Sequence, residues 1–229
     1  MDIASSSPLP LSAKHQLVLT AERLYALHGL DGVPLRHIGA AAGTVNKSAV
    51  AYHFGSKAGL IDTILRNRLD DLIRRRNLLN ARVRNDDLRG LIEAHYLPLI
   101  ELAEDENCYY PRFLEQLVNH SDGADFFARL PAAHFESLQI YYNRVEKLIQ
   151  DVPQALRDDR IFEASTICLH LSADRHRART LGESVAPYAL HVSRLLDSLV
   201  AIISAPPSVW TLAALKDSPE ERTTTRTVL

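Results

Sequence analysis

The chain has 229 residues, of which 46% are hydrophobic, and its net charge is −2 at pH 7. A chain of this length can bury a sizeable core and hold one small domain beside a larger one. It contains no run of the roughly 20 apolar residues that a membrane helix needs, and its first residues lack the apolar core of a secretory signal. Its two cysteines, Cys108 and Cys168, cannot form a disulfide framework. We therefore expect a cytoplasmic protein with no membrane partner.

The first predicted elements in chain order are an arm and short helices. Residues 1–13 carry an early acid and no sustained apolar pattern, and we interpret them as a flexible N-terminal arm. After a first amphipathic helix, residues 34–42 predict a short helix that begins with proline. Gly43 ends this helix by permitting a left-handed cap. One face of the helix is apolar and consists of Leu35, Ile38 and Ala42.

A second short helix follows the turn. Asn46 can cap its start, and Val50 and Phe54 form its inward face. The residues on its other faces are small, polar, basic or aromatic, which suits a DNA major groove: Lys47, Ser48, Ala49, Tyr52 and His53. The pattern predicts a helix-turn-helix within residues 14–60, which we call the head.

A long third helix is predicted to connect the head to the rest of the chain. Gly55 ends the second short helix, and Ser56 is a good N-cap for the third. Lys57 lies in the first turn, where the helix dipole favours anions, so a bound phosphate would explain a cation there. The helix is predicted to run to about Arg82 and to act as a lever. Its apolar face contains Ile61, Leu65 and Leu72.

Two motifs in the head carry a family resemblance. They are Leu-Arg-x-Ile-x-x-x-Ala-Gly at residues 35–43 and Ser-Ala-Val-x-Tyr-His-Phe-Gly-Ser-Lys-x-Gly-Leu at residues 48–60. With the preceding amphipathic helix, they resemble the N-terminal domain of TetR-type transcriptional regulators over about residues 14–80. The chain departs from the family pattern at three positions: Pro34 replaces a Ser or Thr cap, Thr44 lengthens the turn, and Ala58 replaces an acidic residue.

The resemblance implies roles for residues of the head. Tyr52, His53 and Lys57 match positions that grip the phosphate backbone. Arg36 matches a position that reaches a base or a phosphate, and the residues expected to face base edges are Lys47, Ser48 and Ala49. Two alternatives stay open for Thr44 and Asn46, which either contact DNA or only cap the helix.

The charge distribution agrees with a DNA-binding head. Residues 14–85 contain twelve Lys and Arg against five Asp and Glu, a local charge of +7, whereas residues 86–229 carry −8. Contacts between cations and phosphates supply most nonspecific DNA affinity, so a cationic module attached to an anionic one fits DNA binding by one end.

Residues 61–215 are predicted to form a larger helical domain, because glycines are scarce there and prolines punctuate the segment. Residues 216–229 are predicted to be a disordered tail. The resemblance implies a pocket for a small-molecule effector, and the aromatic-rich middle suits an apolar or aromatic ligand. Plain core packing is the alternative for these candidates: His95, Tyr96, Tyr109, Tyr110, Phe113, Leu117, Phe126, Phe127, Phe135, Tyr141 and Tyr142.

The last two long segments suggest a second copy of the chain as a partner. Residues 187–204 are apolar on too much of their circumference for an exposed helix. Burial within one chain would cover one face, and the resemblance implies a homodimer that pairs through two C-terminal helices. The candidate interface residues are Ile167, Leu171, Leu195, Leu196, Leu199 and Ile203.

Motifs of enzymes are missing from the sequence. It has no G-x-S-x-G elbow, no phosphate loop and no dinucleotide glycine pattern, and no histidines are paired at helical spacing. We therefore predict an all-α, non-enzymatic regulator without metal or cofactor. The resemblance implies a repressor that binds a palindromic double-stranded DNA operator as a dimer and is released by an effector. A helical protein-interaction module and, less favoured, a helical small-molecule enzyme remain as alternatives.

Overall fold

The computed structural model describes residues 12–44 and 49–217, and the regular structure within them is entirely helical, which confirms the predicted all-α fold. In chain order the helices are α1 (Ala13–His28), α2 (Leu35–Ala41), α3 (Ala49–Phe54), α4 (Lys57–Asn80), α5 (Leu88–Leu102), α6 (Tyr110–Val118), α7 (Gly123–Ala128), α8 (Ala132–Leu148), α9 (Gln154–Thr180), α10 (Tyr188–Ser204) and α11 (Val209–Asp217).

The ends of the short helices follow from local chemistry. Pro34 has an extended backbone and is the N-cap of α2, so the helix begins at Leu35, one residue later than predicted. A cap residue takes such an extended conformation while its carbonyl already accepts the first helical bond. Gly43 adopts a φ of +71°, which confirms the predicted left-handed residue after α2.

The long helix α4 begins as predicted and ends early. The Ser56 hydroxyl accepts a hydrogen bond from the backbone N–H of Gly59 at 3.1 Å, which confirms Ser56 as the cap. The helix ends at Asn80, two residues before the predicted Arg82. Its predicted apolar face is buried, with Ile61, Leu65 and Leu72 each at most 3% exposed.

Two hydrophobic cores hold the helices together. The first core joins α1 to α4 with α6 and α7, and it includes Leu17, Leu24, Tyr25, Ile38, Val50, Ile64, Phe113, Leu117 and Phe126. The second core joins α5, α8, α9 and α10, and it includes Leu91, Tyr96, Tyr141, Val145, Ile161, Cys168 and Leu199. The packing of the head therefore continues directly into α6 and α7.

Most of the candidate interface residues are buried within one chain. Four of the six are buried because the apolar face of α10 packs against α5 and α9: Leu195, Leu196, Leu199 and Ile203. Only Ile167 and Leu171, on α9, stay partly exposed, at 37% and 39%. Core burial thus explains most of the apolar character of α10.

The last helix, α11, belongs to neither core. None of its side chains is buried, and Trp210 is 82% exposed. No single helix in the described residues is long and apolar enough to cross a membrane; α10 and α11 reach that length only as a pair bent by 47°.

Candidate nucleic-acid interface

The exposed surface of α3 is presented by a buried face of the same helix. Val50 is 3% exposed and lies in the first core, and Phe54 packs partly buried against that core. A Cβ at Gly59 would lie 2.1 Å from the Phe54 carbonyl oxygen, so the turn from α3 into α4 requires glycine there. Anchoring on one side leaves Tyr52, at 81% exposed, pointing away from the core.

One aromatic ring contacts Tyr52, and a cation lies over another ring of the same helix. The rings of Tyr52 and His53 meet edge to face, with centroids 5.0 Å apart. The Lys14 ammonium lies over the Phe54 ring, 5.8 Å from its centroid. Arg36, on α2, is also exposed. The surface therefore combines hydroxyl, imidazole and cationic groups of the kind that contact phosphates.

Other predicted DNA-facing residues lie elsewhere. Ala49, predicted to face base edges, is only 7% exposed and packs in the first core, because it lies beside Val50 on the inward side of α3. The Thr44 hydroxyl donates to the Gly39 carbonyl at 3.0 Å, so it bonds to α2, the helix before the one it was expected to cap. Asn46, Lys47 and Ser48 lie outside the described residues.

Lys57 takes part in a series of side-chain hydrogen bonds that the sequence did not reveal. Its Nζ lies 2.8 Å from Oδ1 of Asp31, and Oδ2 of Asp31 lies 3.1 Å from Nε2 of His120. The hydrogen bond from Lys57, followed by that from His120, lowers the pKa of Asp31. His120 follows α6, so the contacts among Lys57, Asp31 and His120 link the head to the larger domain. A DNA phosphate would compete with Asp31 for Lys57.

A buried carboxylate lies at the junction between α1 and α6. Glu22 is 1% exposed, and its Oε2 is 4.0 Å from Nε of Arg68. Burial raises the pKa of Glu22 to about 7, although the Arg68 charge and the backbone N–H groups of Tyr109 and Tyr110 oppose that rise. Sequence analysis missed Glu22, because nothing in the pattern of α1 shows which neighbour covers it.

The predicted pocket residues divide between the two cores and the surface. Those on α6 and α7 pack in or against the first core: Tyr109, Tyr110, Phe113, Leu117, Phe126 and Phe127. Tyr96 and Tyr141 belong to the second core, with Tyr142 packed against it, and Phe135 is 36% exposed. Two of the candidates, His95 and Tyr141, whose rings stack with centroids 3.8 Å apart, line a cleft. The other nine are core or surface residues.

The described residues contain no group of three His, Cys, Asp or Glu side chains placed to hold a metal ion. Burial raises the pKa of the Cys108 thiol to about 11, and that of Cys168 to about 12. Both thiols are therefore held in the protonated, unreactive form at neutral pH.

Comparisons with known proteins identify a relationship for the head. Residues 17–64 match the model of the family described as bacterial regulatory proteins, tetR family. No curated protein sequence matches the chain.

Two solved structures resemble the chain at low sequence identity. NalD, the secondary repressor of the MexAB-OprM multidrug efflux pump in Pseudomonas aeruginosa, is 19% identical; the match covers 84% of this chain and 97% of NalD, with a TM-score of 0.47. SmeT, solved as a complex with triclosan, is 17% identical; the match covers 87% of this chain and 97% of SmeT, with a TM-score of 0.49. Because both identities are below 20% and both TM-scores are below 0.5, the match that bears on function is the family match over residues 17–64.

Proposed function

Because residues 17–64 belong to the tetR family of bacterial regulatory proteins, we propose that this protein is a DNA-binding transcriptional repressor of the cytoplasm. It binds a palindromic operator as a homodimer, and a small-molecule effector releases it. Residues 14–60 contact DNA in this proposal, and residues 61–215 bind the effector and the second copy.

The observation that carries the proposal is the exposed surface at the end of the helix-turn-helix. Tyr52 extends from α3, and Lys57 lies in the first turn of the 24-residue helix α4. The free N–H groups and dipole of such a helix start favour an anion. In the proposed complex, Tyr52, His53 and Lys57 contact phosphates, Arg36 reaches a base or phosphate, and Lys47 and Ser48 face base edges.

The proposed dimer uses the exposed side of α9. Ile167 and Leu171 are one helical turn apart on that side, and both are more than a third exposed. A two-fold axis there pairs each residue with a copy of the same surface and places two heads on one face of the DNA.

The test is selection of genomic DNA fragments by the purified protein across a salt series. We expect enrichment of a palindrome, with an affinity that falls steeply as salt rises, because bound cations release counterions from DNA. The double variant Tyr52→Ala/Lys57→Ala should lose this enrichment. Arg194→Ala removes an exposed cation from α10 instead and should behave as the native protein does. Salt-insensitive, sequence-independent binding by the native protein would favour a protein-interaction module.

A further inference from the structure

A narrow cleft lies between α4, α5 and α8. Its interior measures about 20 Å³, within about 250 Å³ of space that includes its mouth. The residues that define its chemistry are Arg76 from α4, His95 from α5, and Ser137 and Tyr141 from α8. The interior has room for about one water molecule, so it admits a small polar group and not a ring.

Arg76 is a buried cation without a carboxylate partner. It is 4% exposed, and its Nε donates to the His95 carbonyl at 2.9 Å. Across residues 12–44 and 49–217 it forms no salt bridge, and the groups that most affect its pKa, after burial lowers it, are tyrosines and Cys168. A guanidinium keeps its charge in a protein, and a buried charge is normally paired.

Arg175 shows how this chain normally buries such a group. It is 5% exposed, but its Nη2 lies 3.2 Å from Oε2 of Glu104, and its Nη1 donates to the Ala186 carbonyl at 2.8 Å. Arg76 has the same degree of burial with a single carbonyl as its partner. The other four guanidinium N–H groups of Arg76 have no acceptor within the described residues, and this side chain lines the cleft.

A second buried polar side chain, close enough for the Arg76 charge to act on it, also lacks hydrogen-bond partners within the described residues. His134 is 1% exposed, and neither ring nitrogen has a hydrogen bond within the described structure. It lies on the face of α8 that also carries Ser137 and Tyr141, at helical spacings of three and seven residues. Its pKa is lowered to about 4 by burial, followed by the Arg76 charge, so the ring is neutral at pH 7. No acid from α8 compensates Arg76.

We propose that this cleft binds a monocarboxylate, whose two oxygens accept hydrogen bonds from the Arg76 guanidinium. One negative charge matches the charge of Arg76, and the planar fork of arginine fits a carboxylate in a bidentate manner. Asn77 lines both the cleft and a wider groove of about 470 Å³ that includes Ile73 and Leu78, which gives the apolar remainder of the ligand space.

A purely structural role accounts for only part of the geometry. Pro98 lies inside α5 and leaves the carbonyl of Ala94 without its helical N–H donor. The Arg76 Nε donates to the adjacent carbonyl, that of His95, and so supports α5 beside this interruption. This role uses one of five N–H groups and needs no cleft.

The test is calorimetric titration of the full-length protein with acetate and benzoate, with acetamide, benzamide and inorganic phosphate as comparisons. We expect carboxylate binding and no amide binding. Ser137→Leu fills the cleft and leaves Arg76 in place, so it should weaken carboxylate binding at least about tenfold. Arg76→Gln should do the same where it folds. Arg74→Gln, an exposed arginine on the same helix, should bind as the native protein does.

Three outcomes would overturn the proposal. They are carboxylate affinity weaker than about 10 mM, equal affinity for the amides, or undiminished binding by Ser137→Leu. Preferential phosphate binding would instead assign a different anion. That the ligand is the effector rests on the proposed function, whereas this titration contains no DNA. Loss of operator binding on adding benzoate, in the native protein and not in Ser137→Leu, tests that connection separately.

Discussion

The first and second cores differ in what they connect. The first core packs the head against α6 and α7. The predicted domain boundary at residue 60 therefore does not coincide with a gap in the hydrophobic packing. The second core packs helices of the larger domain against one another. The helix α4 contributes Leu60 to Leu72 to the first core and Arg76 to the cleft beside the second. A change at the cleft can therefore reach the head through one rigid element.

The largest effect is expected from shortening a first-core side chain. Phe113 is fully buried on α6, and Phe113→Ala should lower the free energy of unfolding by about 3–5 kcal/mol. DNA binding should also weaken at temperatures where the variant is folded, because α6 supports α1. Urea unfolding should be followed by circular dichroism, since the single tryptophan is exposed and does not report on the cores.

The matched variant lies in the second core. Leu199 is equally buried on α10, and Leu199→Ala should cost about 2–5 kcal/mol while DNA affinity per folded molecule stays near native. Equal losses of DNA affinity in the two variants would show that the cores do not differ in their connection to the head.

Glu22 makes the junction of the first core dependent on pH. Its pKa rises from 4.5 to about 7 on folding, so the folded protein holds a proton there that the unfolded chain releases. Stability from this group is greatest at low pH and falls as pH rises from about 4.5 to 7, by up to about 3 kcal/mol. The groups around Glu22 that also bear charge or titrate are Arg68, Asp105, Cys108 and Tyr110.

Replacing this carboxyl by an amide isolates its contribution. Glu22→Gln should flatten the stability profile between pH 5 and pH 8 and be more stable than native at pH 8, because a neutral amide carries no buried charge. Urea unfolding at both pH values measures this. Glu136→Gln, exposed on α8, should keep the native profile. A native-like slope in Glu22→Gln would assign the pH dependence to another group.

A smaller effect is expected where the head meets the larger domain at its surface. Asp31→Asn frees Lys57 from its ion pair, so binding to nonspecific DNA should tighten several-fold at low salt and little at high salt. Asp217→Asn makes the same change of charge at the end of α11 and is the control. Fluorescence anisotropy with labelled duplex DNA measures both. Equal tightening in the two variants would reduce the effect to net charge.

Sequence periodicity predicted helices and their ends because those depend on neighbouring residues. Local sequence is enough to predict that Ser56 caps α4 and that Gly43 follows the end of α2, because each role depends on residues within one helical turn. Which surface covers a helix depends on distant residues, so the burial of Ala49 went unpredicted and that of Leu195 stayed one of two alternatives. The side-chain hydrogen bonds of Asp31 join residues 26 and 89 positions apart, and no spacing rule connects them.

The buried arginine illustrates the same limit for the candidate site. Arg76 stands in a run of three arginines on α4, and the sequence pattern counts it only among the twelve cations of residues 14–85. Its neighbours differ from it because Arg74 and Arg75 pair with the carboxylates of Asp71 and Glu101, respectively. Arg76 points inward because of how α4 is rotated about its own axis where it packs against α5 and α8.

The smallest effect is expected from α11, which lies outside both cores. Because Trp210 is 82% exposed and α11 buries no side chain, Trp210→Ala should change the free energy of unfolding by no more than about 0.5 kcal/mol. In the native protein, the emission wavelength of Trp210 should be that of a water-exposed indole at every protein concentration. A larger loss of stability, or a blue-shifted emission at high concentration, would mean that α11 packs against a second copy. The surface of α11 that is exposed in a single chain would then be an interface between two copies.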